Sequence, residues 1–221
     1  MNNIKDYREN ELKTFVIANI LVILCLIGMI TFDGIIEEDS YMQLLITIIN
    51  SGLFSSIIYA MVMVCDCMIS SYLKKIIIFW WKPMPGETIF SDIKINAKDG
   101  RFTALEATMT YDEIYKNMPK DKKARYGYEN SKWYGLLRQH ESEPKVQVAH
   151  RDYLMCRDMA TSTIIMLVVY ILLSLVLKLI EFDKKAIAYL LMVYIICMIA
   201  TRIKSRRFVK TVIACDIHSQ K

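Results

Sequence analysis

Four long stretches of the sequence carry no charged residue, and they limit the folds open to this chain. They cover residues 15–32, 41–65, 161–177 and 186–201. A helix needs about 20 apolar residues to cross the hydrocarbon core of a bilayer, and the first two stretches reach that range. The other two are slightly shorter, but Lys178 and Arg202 at their ends can extend their charges to the interface. A soluble fold of 221 residues would have too little amphipathic chain to cover four such helices. We therefore expect a mainly α-helical membrane protein with four transmembrane helices.

The predicted domain organisation follows the alternation of apolar and polar sequence. It comprises an N-terminal transmembrane pair, a small cytoplasmic domain, a C-terminal transmembrane pair and a basic cytoplasmic tail, at residues 1–82, 83–145, 146–204 and 205–221. The four spans are expected at about residues 14–32, 41–65, 160–180 and 186–203. No small-residue cleavage site follows the first stretch, so we expect it to remain as a transmembrane helix.

The sequence WWKPMPG, at residues 80–86, marks the predicted exit from the second transmembrane helix, which we expect to continue unbroken from residue 41 to about residue 82. Its two tryptophans suit the headgroup layer of a membrane. Its two prolines end the helix, because proline lacks an N–H and restricts the residue before it. Further along, no helix breaker lies between Lys145 and about residue 180, which predicts a long helix that begins near Pro144.

Lysine and arginine are concentrated in three parts of the chain. Sixteen of the 28 lie between Lys74 and Arg157, three precede the first predicted span, and six lie in residues 202–221. The loop between the first two spans, residues 33–40, has four acidic residues and no basic one. Because cytoplasmic loops are enriched in lysine and arginine, both termini and the middle segment are predicted to be cytoplasmic.

The start of the predicted cytoplasmic domain has a weak pattern. The sequence ETIFSDIKI, residues 87–95, fits a short strand or an extended segment, so the domain is expected to be helical or α+β. Residues 103–118 predict a helix after the Asp99-Gly100 turn. Its expected core positions are Leu105, Met109 and Ile114.

The rest of this domain is predicted to be a polar loop followed by a second helix. The loop covers residues 117–129, and the helix is expected to begin at a capping Asn130 or Ser131 and to continue through His140. The residues expected to face inward are Trp133, Tyr134, Leu136 and Leu137.

A group of cations in this domain forms the candidate ligand-binding site. Its members are Lys116, Lys120, Lys122, Lys123 and Arg125, together with the aromatic residues Tyr126 and Trp133. Arginine and lysine bind phosphates, and aromatic rings stack on bases. We therefore expect an anionic ligand such as a nucleotide or an oligonucleotide. The alternative is that these charges serve only topology and contact with anionic lipid.

Polar side chains also recur along the second predicted span. The candidate pore-lining residues are Gln43, Thr47, Asn50, Ser51 and Ser55. Thr47, Ser51 and Ser55 are four residues apart, so they share one face of a helix. Polar residues in a span usually face protein or water rather than lipid. The stripe predicts either a pore lined by this helix from each subunit or a helix–helix contact through small residues.

The sequence contains no complete catalytic or metal-binding motif. Cys65 and Cys67 form a C-x-C pair, with no second pair at zinc spacing. His150-Arg151-Asp152 has the letters of the kinase catalytic triplet, but the asparagine and the Gly-rich loop that accompany it in kinases are missing. We therefore expect a protein that is not an enzyme and has no cofactor and no metal site.

The size of the predicted cytoplasmic domain favours self-association. A domain of roughly 60 residues is only marginally stable alone. We expect it to pack against the extended helices and against copies of itself, which predicts a homo-oligomer, most simply a cyclic one.

Four segments of the chain carry a resemblance to a known family. They are PGETIFSDIK (residues 85–94), KWYGLLR (132–138), VAHRDYLMCRD (148–158) and RRFVK (206–210). With the outline of two spans, an insertion, two spans and a basic tail, they resemble the membrane effectors that bacteria encode beside nucleotidyltransferases in antiphage defence, notably the membrane subunit of Hailong-type systems. The resemblance implies a homotetrameric channel of the bacterial inner membrane, held shut by a nucleotide or a short single-stranded DNA oligomer that the partner nucleotidyltransferase makes. It assigns no individual binding residue.

Together these patterns favour a homo-oligomeric ion channel or pore effector of the bacterial inner membrane. A nucleotide or single-stranded oligonucleotide at the cytoplasmic domain would gate it, and opening would depolarise the membrane in antiphage defence. The alternative is a membrane adaptor without a channel, whose cytoplasmic domain recruits a protein partner.

Overall fold

The computed structural model describes residues 2–29, 41–97 and 99–219, apart from the side chains of residues 2–9, 41–48 and 51. This part of the chain is mainly helical and contains no strand. Its α-helices are α1 (Asn2–Leu26), α2 (Tyr41–Met68), α3 (Ser71–Phe79), α4 (Ile89–Ile95), α5 (Ala104–Thr110), α6 (Asp112–Lys116), α7 (Lys122–His140), α8 (Pro144–Ile171) and α9 (Lys184–Ser219). A 3₁₀ turn, Pro85–Glu87, precedes α4, and a π-helical turn, Leu172–Val176, follows α8.

The chain divides into two compact units. The first unit contains Met1–Ile77 and Met155–Ile199, and the second contains Ile78–Leu154 and Ala200–Lys221. Helices α8 and α9 contribute residues to both units. The first unit therefore holds nearly all of the uncharged residues, and the second holds the polar segment between the second and third stretches.

The first unit is apolar both inside and outside. Val16 and Ile20 of α1, Ile165 and Val169 of α8, and Leu190 of α9 belong to its buried core. Its exposed side chains are large and apolar as well, and they include Leu53, Ile57, Val64, Val168 and Ile196. A helix that is hydrophobic on every face suits a lipid environment better than water. The composition of this surface agrees with a membrane location.

Two described helices are long and apolar enough to cross a membrane. They are α8 with its π-helical turn, Pro144–Val176, and α9, Lys184–Ser219. A third candidate is a bent pair, Gly52–Met68 with Ser71–Phe79, if its two arms form one span. The described residues thus contain two or three candidate spans.

The predicted extension of the second span, from residue 65 to about residue 82, is broken where a continuous helix was expected. Helix α2 ends at Met68 and α3 begins at Ser71, and the two axes differ in direction by 102°. The Ser70 hydroxyl accepts a hydrogen bond from the Leu73 N–H at 3.3 Å, as the cap of a new helix does. The prediction of one helix from residue 41 to residue 82 is wrong, because a serine cap restarts the helix without a proline or glycine.

Helix α1 ends earlier than the first predicted span. Gly28 has φ 74°, and the Met29 N–H donates to the Leu24 carbonyl at 3.0 Å, which together form a glycine-terminated helix end. Helix α1 thus ends at Leu26, before the predicted end of the span, and residues 30–32 of that span lie outside the described residues. The part of α1 after Lys13 measures about 20 Å, shorter than the roughly 30 Å core of a bilayer.

The helix that contains the third predicted span begins at Pro144, as expected, but it ends in a π-helical turn at Val176, before residue 180. The Leu177 N–H donates to the Leu172 carbonyl at 3.0 Å. The turn that follows is fixed by Tyr170, whose hydroxyl accepts a hydrogen bond from the Asp183 N–H at 2.8 Å. This contact directs the chain from α8 into α9.

Helix α4 replaces the strand predicted at residues 87–95. Ile89, Phe90 and Ile93 of this helix are all buried in the core of the second unit. They have the spacing of one helix face, whereas alternate residues of a strand would face opposite sides. The strand prediction is wrong, and no strand occurs in the part of the chain that the structure describes.

The helix predicted over residues 103–118 is divided into α5 and α6. Thr103 caps α5, since its hydroxyl accepts from the Glu106 N–H at 3.2 Å while the Glu106 carboxylate accepts from the Thr103 N–H at 2.8 Å. Leu105 and Met109 are 66% and 69% exposed, so their placement in the core was wrong. Ala107 and Tyr111 are buried instead, and Ile114 packs against the same core.

Helix α7 begins earlier than predicted. The Asp121 carboxylate accepts a hydrogen bond from the Ala124 N–H at 2.8 Å and caps a helix that starts at Lys122. A start at Asn130 or Ser131 is therefore wrong, and much of the predicted polar loop is helical. Of the residues expected to face inward, Trp133 is buried, Leu136 and Leu137 pack against the core, and Tyr134 is exposed.

The C-terminal part of α9 belongs to the core of the second unit. Phe208, Val209, Val212, Ile213 and Ile217 are buried there. Their spacing of three and four residues is that of an amphipathic helix. The structure thus differs from the predicted tail at residues 205–221, since residues up to Ser219 continue α9.

Candidate functional site

The predicted ligand residues before Trp133 lie along α6 and the first turns of α7. Lys116, Lys120, Lys122 and Lys123 are exposed, and Arg125 and Tyr126 are partly buried. We call the five cations and Tyr126 the α6–α7 cluster. Lys122 and Lys123 stand in the first turn of α7, where the helix dipole adds to their positive potential. This surface can attract an anion.

Two contacts within the α6–α7 cluster affect its charges. Lys116 forms an ion pair with Asp112, four residues earlier, and the hydrogen bond between them raises the pKa of Lys116. The Lys122 ammonium lies 5.9 Å from the centre of the Tyr126 ring. The first contact offsets part of the positive charge of Lys116, whereas the second places an aromatic face beside a cation, a combination that phosphate-bearing ligands with a base can use.

Trp133 lies in the core of the second unit, away from the exposed surface of the cluster. It is 5% exposed and packs edge-on against Phe208, with 5.5 Å between ring centres. A Cβ at Gly86 would lie 3.0 Å from Trp133 Cε3, so Gly86 is needed for the close approach of the 3₁₀ turn. The Trp133 ring is therefore structural and unavailable to stack on a base.

The candidate pore residues can be placed only in part. The side chains of Gln43, Thr47 and Ser51 lie outside the described residues. Asn50 is exposed, and Ser55 is buried with a hydroxyl that has no hydrogen-bond partner among the described residues. The two side chains that can be placed thus have different environments. Whether the five residues form one lining remains a prediction of the sequence.

A buried group of charges in the first unit is the most distinctive polar feature of the structure. The Lys74 ammonium lies 2.7 Å from Asp66 Oδ2 and 3.5 Å from Asp158 Oδ1. The Arg157 guanidinium contacts the same Asp158 oxygen at 2.8 Å. The Thr161 hydroxyl donates to Asp66 Oδ1 at 3.2 Å. We call these five residues the charge network.

The charge network joins both arms of the broken helix to α8. Asp66 lies before the break, Lys74 lies after it, and Asp158 belongs to α8. Lys74 is 8% exposed and Asp158 is 4% exposed, so both charges are largely removed from solvent. The two cations and two carboxylates balance. Such burial is costly unless the charges are paired, and this pairing holds the break in its bent form.

The charge network was not predicted from the sequence, although the position of one acidic residue pointed to it. Asp66 is the only acidic residue between Asp39 and Glu87, and it directly follows an uncharged stretch. An acidic residue in or next to a membrane segment usually has a partner. The sequence does not show which partner, because Asp158 is more than 90 residues away.

No protein-family model matches the chain, and no curated protein or solved structure matches it either.

Proposed function

We propose that the chain is a homo-oligomeric ion channel or pore effector of the bacterial inner membrane, with a tetramer favoured. A nucleotide or short single-stranded DNA oligomer, made by a linked nucleotidyltransferase, controls its opening from the cytoplasmic side. Opening depolarises the membrane as an antiphage response. The tetramer, the nucleotidyltransferase and the antiphage role are what the resemblance to Hailong-type membrane subunits implies. The observation that supports the channel itself is the charge network at the broken helix of the apolar first unit.

Charged side chains in a membrane segment commonly mark ion pathways, because they are costly there without a function. A break in a spanning helix can also mark an ion pathway. Non-helical backbone at membrane depth is tolerated only where it is buried in protein or lines a water-filled cavity. In this chain the two features coincide. Asp66 and Lys74 lie on either side of the break and form an ion pair across it. We assign this region to the gate.

A conducting path is expected between copies of the chain rather than within one copy. A cavity in the interior of the first unit measures about 20 Å³ and has largely apolar walls, which include Ile20, Met166 and Tyr170. A space of this size holds about one water molecule. Cyclic assembly would bring one helix from each copy around a shared axis.

The ligand part of the proposal rests on the α6–α7 cluster. Replacing Lys120, Lys122, Lys123 and Arg125 together with alanine should weaken binding of a single-stranded oligonucleotide and reduce its salt dependence. Each lost phosphate contact lowers the slope of log K against log salt by about 0.7. Fluorescence anisotropy with a labelled oligonucleotide at several salt concentrations measures both quantities.

Arg138 provides the control, because it is exposed on the same helix but near its C-terminal end. Arg138→Ala should change the affinity by much less than the quadruple replacement. Equal affinity and equal salt slope for the quadruple variant and the wild type would reject the cluster as the ligand site.

A measurement of ion flux distinguishes a channel from an adaptor that does not conduct ions. Purified protein in liposomes should release a trapped ion or dye, and Asn50→Leu should reduce the flux, because a large apolar side chain replaces a polar one in the candidate lining. Val168→Leu, at an exposed position of α8, is the matched control and should leave the flux unchanged. Absence of flux from the wild-type protein, with and without oligonucleotide, would favour the adaptor and contradict the channel proposal.

A further inference from the structure

The second unit contains a groove that no part of the proposed function uses. Its volume is about 540 Å³. The charged residues in its walls are four cations and one carboxylate, namely Lys82, Arg202, Arg206, Lys210 and Asp92. We call it the basic groove. Its excess of positive charge indicates an anionic occupant.

One wall of the basic groove is a single face of α9. Arg202, Arg206 and Lys210 are spaced four residues apart and so follow one another along this face over about 12 Å. Lys82 reaches the groove from the segment after α3. The cations thus come from two parts of the chain and line a common space.

The arginine at the start of this row is held in position and keeps an unused donor. The Arg202 Nε donates to the Ile78 carbonyl at 2.8 Å, and its guanidinium lies 5.2 Å from the centre of the Trp80 ring. One terminal nitrogen of Arg202 is buried without a hydrogen-bond partner among the described residues. A buried donor without a partner costs free energy. An oxygen of a bound anion would satisfy it.

The positive charge of the groove is only partly balanced by carboxylates, since of its four cations Lys210 interacts electrostatically with Asp99 and donates a hydrogen bond to the Ala97 carbonyl. Asp92 is the acidic residue in its walls, and it accepts a hydrogen bond from the Thr88 hydroxyl. Elsewhere in the second unit, carboxylates do pair with cations, as Asp152 does with Lys204. Arg206 forms no ion pair within the described part of the chain. The walls therefore keep an excess of positive charge that a ligand can use.

The chemistry of the groove fits a phosphate group, since guanidinium and ammonium groups in a row bind phosphate oxygens well. The remaining walls are largely apolar, with Pro83, Pro85 and Ile89 among them. The aromatic residue in the walls, Phe79, is 4% exposed and offers no face on which a base could stack. A phosphate on an apolar carrier fits these walls better than a nucleotide does.

The positions of the groove residues in the chain point to a lipid headgroup as the source of that phosphate. Arg202 is the first cation after the uncharged stretch of α9, and Lys82 follows the bent candidate span. Trp81, directly before Lys82, is 93% exposed. Exposed tryptophan beside cations is typical of the layer where membrane meets water. Basic pockets at the cytoplasmic ends of spans bind anionic headgroups.

We propose that the basic groove binds the phosphate of an anionic phospholipid headgroup. This binding requires the chain to lie in a bilayer, but it does not require the chain to conduct ions. Its test is therefore separate from the flux experiment.

Lipid binding by the full-length protein tests the proposal. Protein in detergent is mixed with phosphatidylglycerol or phosphatidylcholine, and bound lipid is counted by native mass spectrometry. We expect selective retention of phosphatidylglycerol. Lys82→Gln with Arg206→Gln should reduce that retention at least about fivefold, given the usual contribution of a surface cation to anionic-lipid binding. Both side chains are exposed, so the double variant should fold.

The matched control is Lys94→Gln with Arg207→Gln, which removes the same charge from exposed positions of the second unit outside the groove. This control should keep its lipid. Lys82→Arg with Arg206→Lys preserves the charge and should also keep it. Equal retention by the groove variant and the control variant, whether high or low, would overturn the proposal.

A soluble source of phosphate is distinguished in the same assay. Inorganic phosphate and a single-stranded oligonucleotide are added in solution, each against bound phosphatidylglycerol. Neither should displace the lipid at micromolar concentration. Displacement at that concentration, or loss of oligonucleotide binding in the groove variant with lipid binding intact, would assign the groove to a soluble ligand and reject the lipid.

Discussion

Replacing Lys74 with methionine is expected to lower the free energy of unfolding by about 3–5 kcal/mol, because removing one partner of a buried ion pair leaves the other uncompensated. Lys74 is the cation that contacts both Asp66 and Asp158. Asp158 would keep its contact with Arg157, whereas Asp66 would keep, among the described residues, the hydrogen bond from Thr161. Unfolding of the purified protein in detergent by heat or denaturant measures the loss.

Two further variants identify the cause of that loss. Lys13→Met removes a cation from an exposed position of the same unit and should change the stability by no more than about 0.5 kcal/mol. Asp66→Asn combined with Lys74→Met should recover about 1 kcal/mol or more, since coupled residues show interaction energies of that size. A similar stability for Lys74→Met and Lys13→Met would show that the charge network does not stabilise the fold.

Replacing Trp133 with alanine is expected to cost about 3–5 kcal/mol, the usual range for removing a buried tryptophan. Trp133 packs against Phe208 and Tyr134, with ring centres 5.5 Å and 5.0 Å away, and its indole N–H points to the Val209 carbonyl at 3.4 Å. It also contacts Gly86. The replacement would therefore loosen the contacts between the 3₁₀ turn, α7 and α9.

Trp81 is the matched control for this change, because it is a tryptophan that is almost fully exposed. In detergent, Trp81→Ala should alter the midpoint of thermal unfolding little, whereas Trp133→Ala should lower it by many degrees. Equal effects of the two replacements would mean that the core of the second unit is not built around Trp133.

The long apolar stretches were enough to predict helices, but not where those helices end. Pro144 marks the start of α8 because its missing N–H is tolerated only in a first turn. The ends at Leu26 and Met68 depend on Gly28 and Ser70, which look ordinary within apolar sequence. Caps of this kind act through single hydrogen bonds, and periodicity does not reveal them.

In the second unit, the sequence predicted the wrong type of secondary structure for residues 87–95. The short apolar pattern of residues 87–95 fits a strand and a helix equally well, and the contact of Phe90 and Ile93 with Trp133 and Phe208 in one core decides in favour of the helix. The C-terminal segment was interpreted by its charge, so its buried apolar face was overlooked. Its spacing of apolar residues would have predicted that face.

The candidate sites also differ in how far they could be predicted from the sequence alone. Exposed cations that are close in sequence, such as Lys122 and Lys123, remain close on a helix surface and can be proposed from sequence alone. The charge network and the basic groove each combine residues from distant segments. Asp66 and Asp158 approach the same ammonium only because α2, α3 and α8 pack together, which no local pattern encodes.

The central claim is that the polar segment between the second and third apolar stretches lies in the cytoplasm of a membrane-spanning chain. Alkaline phosphatase, which needs disulfides that form outside the cytoplasm, tests this most directly when it is inserted into the full-length chain in a bacterial host. An insertion after Gly127 should be inactive, and one after Gly34, between the first two stretches, should be active. Activity after Gly127 with none after Gly34 would contradict the account.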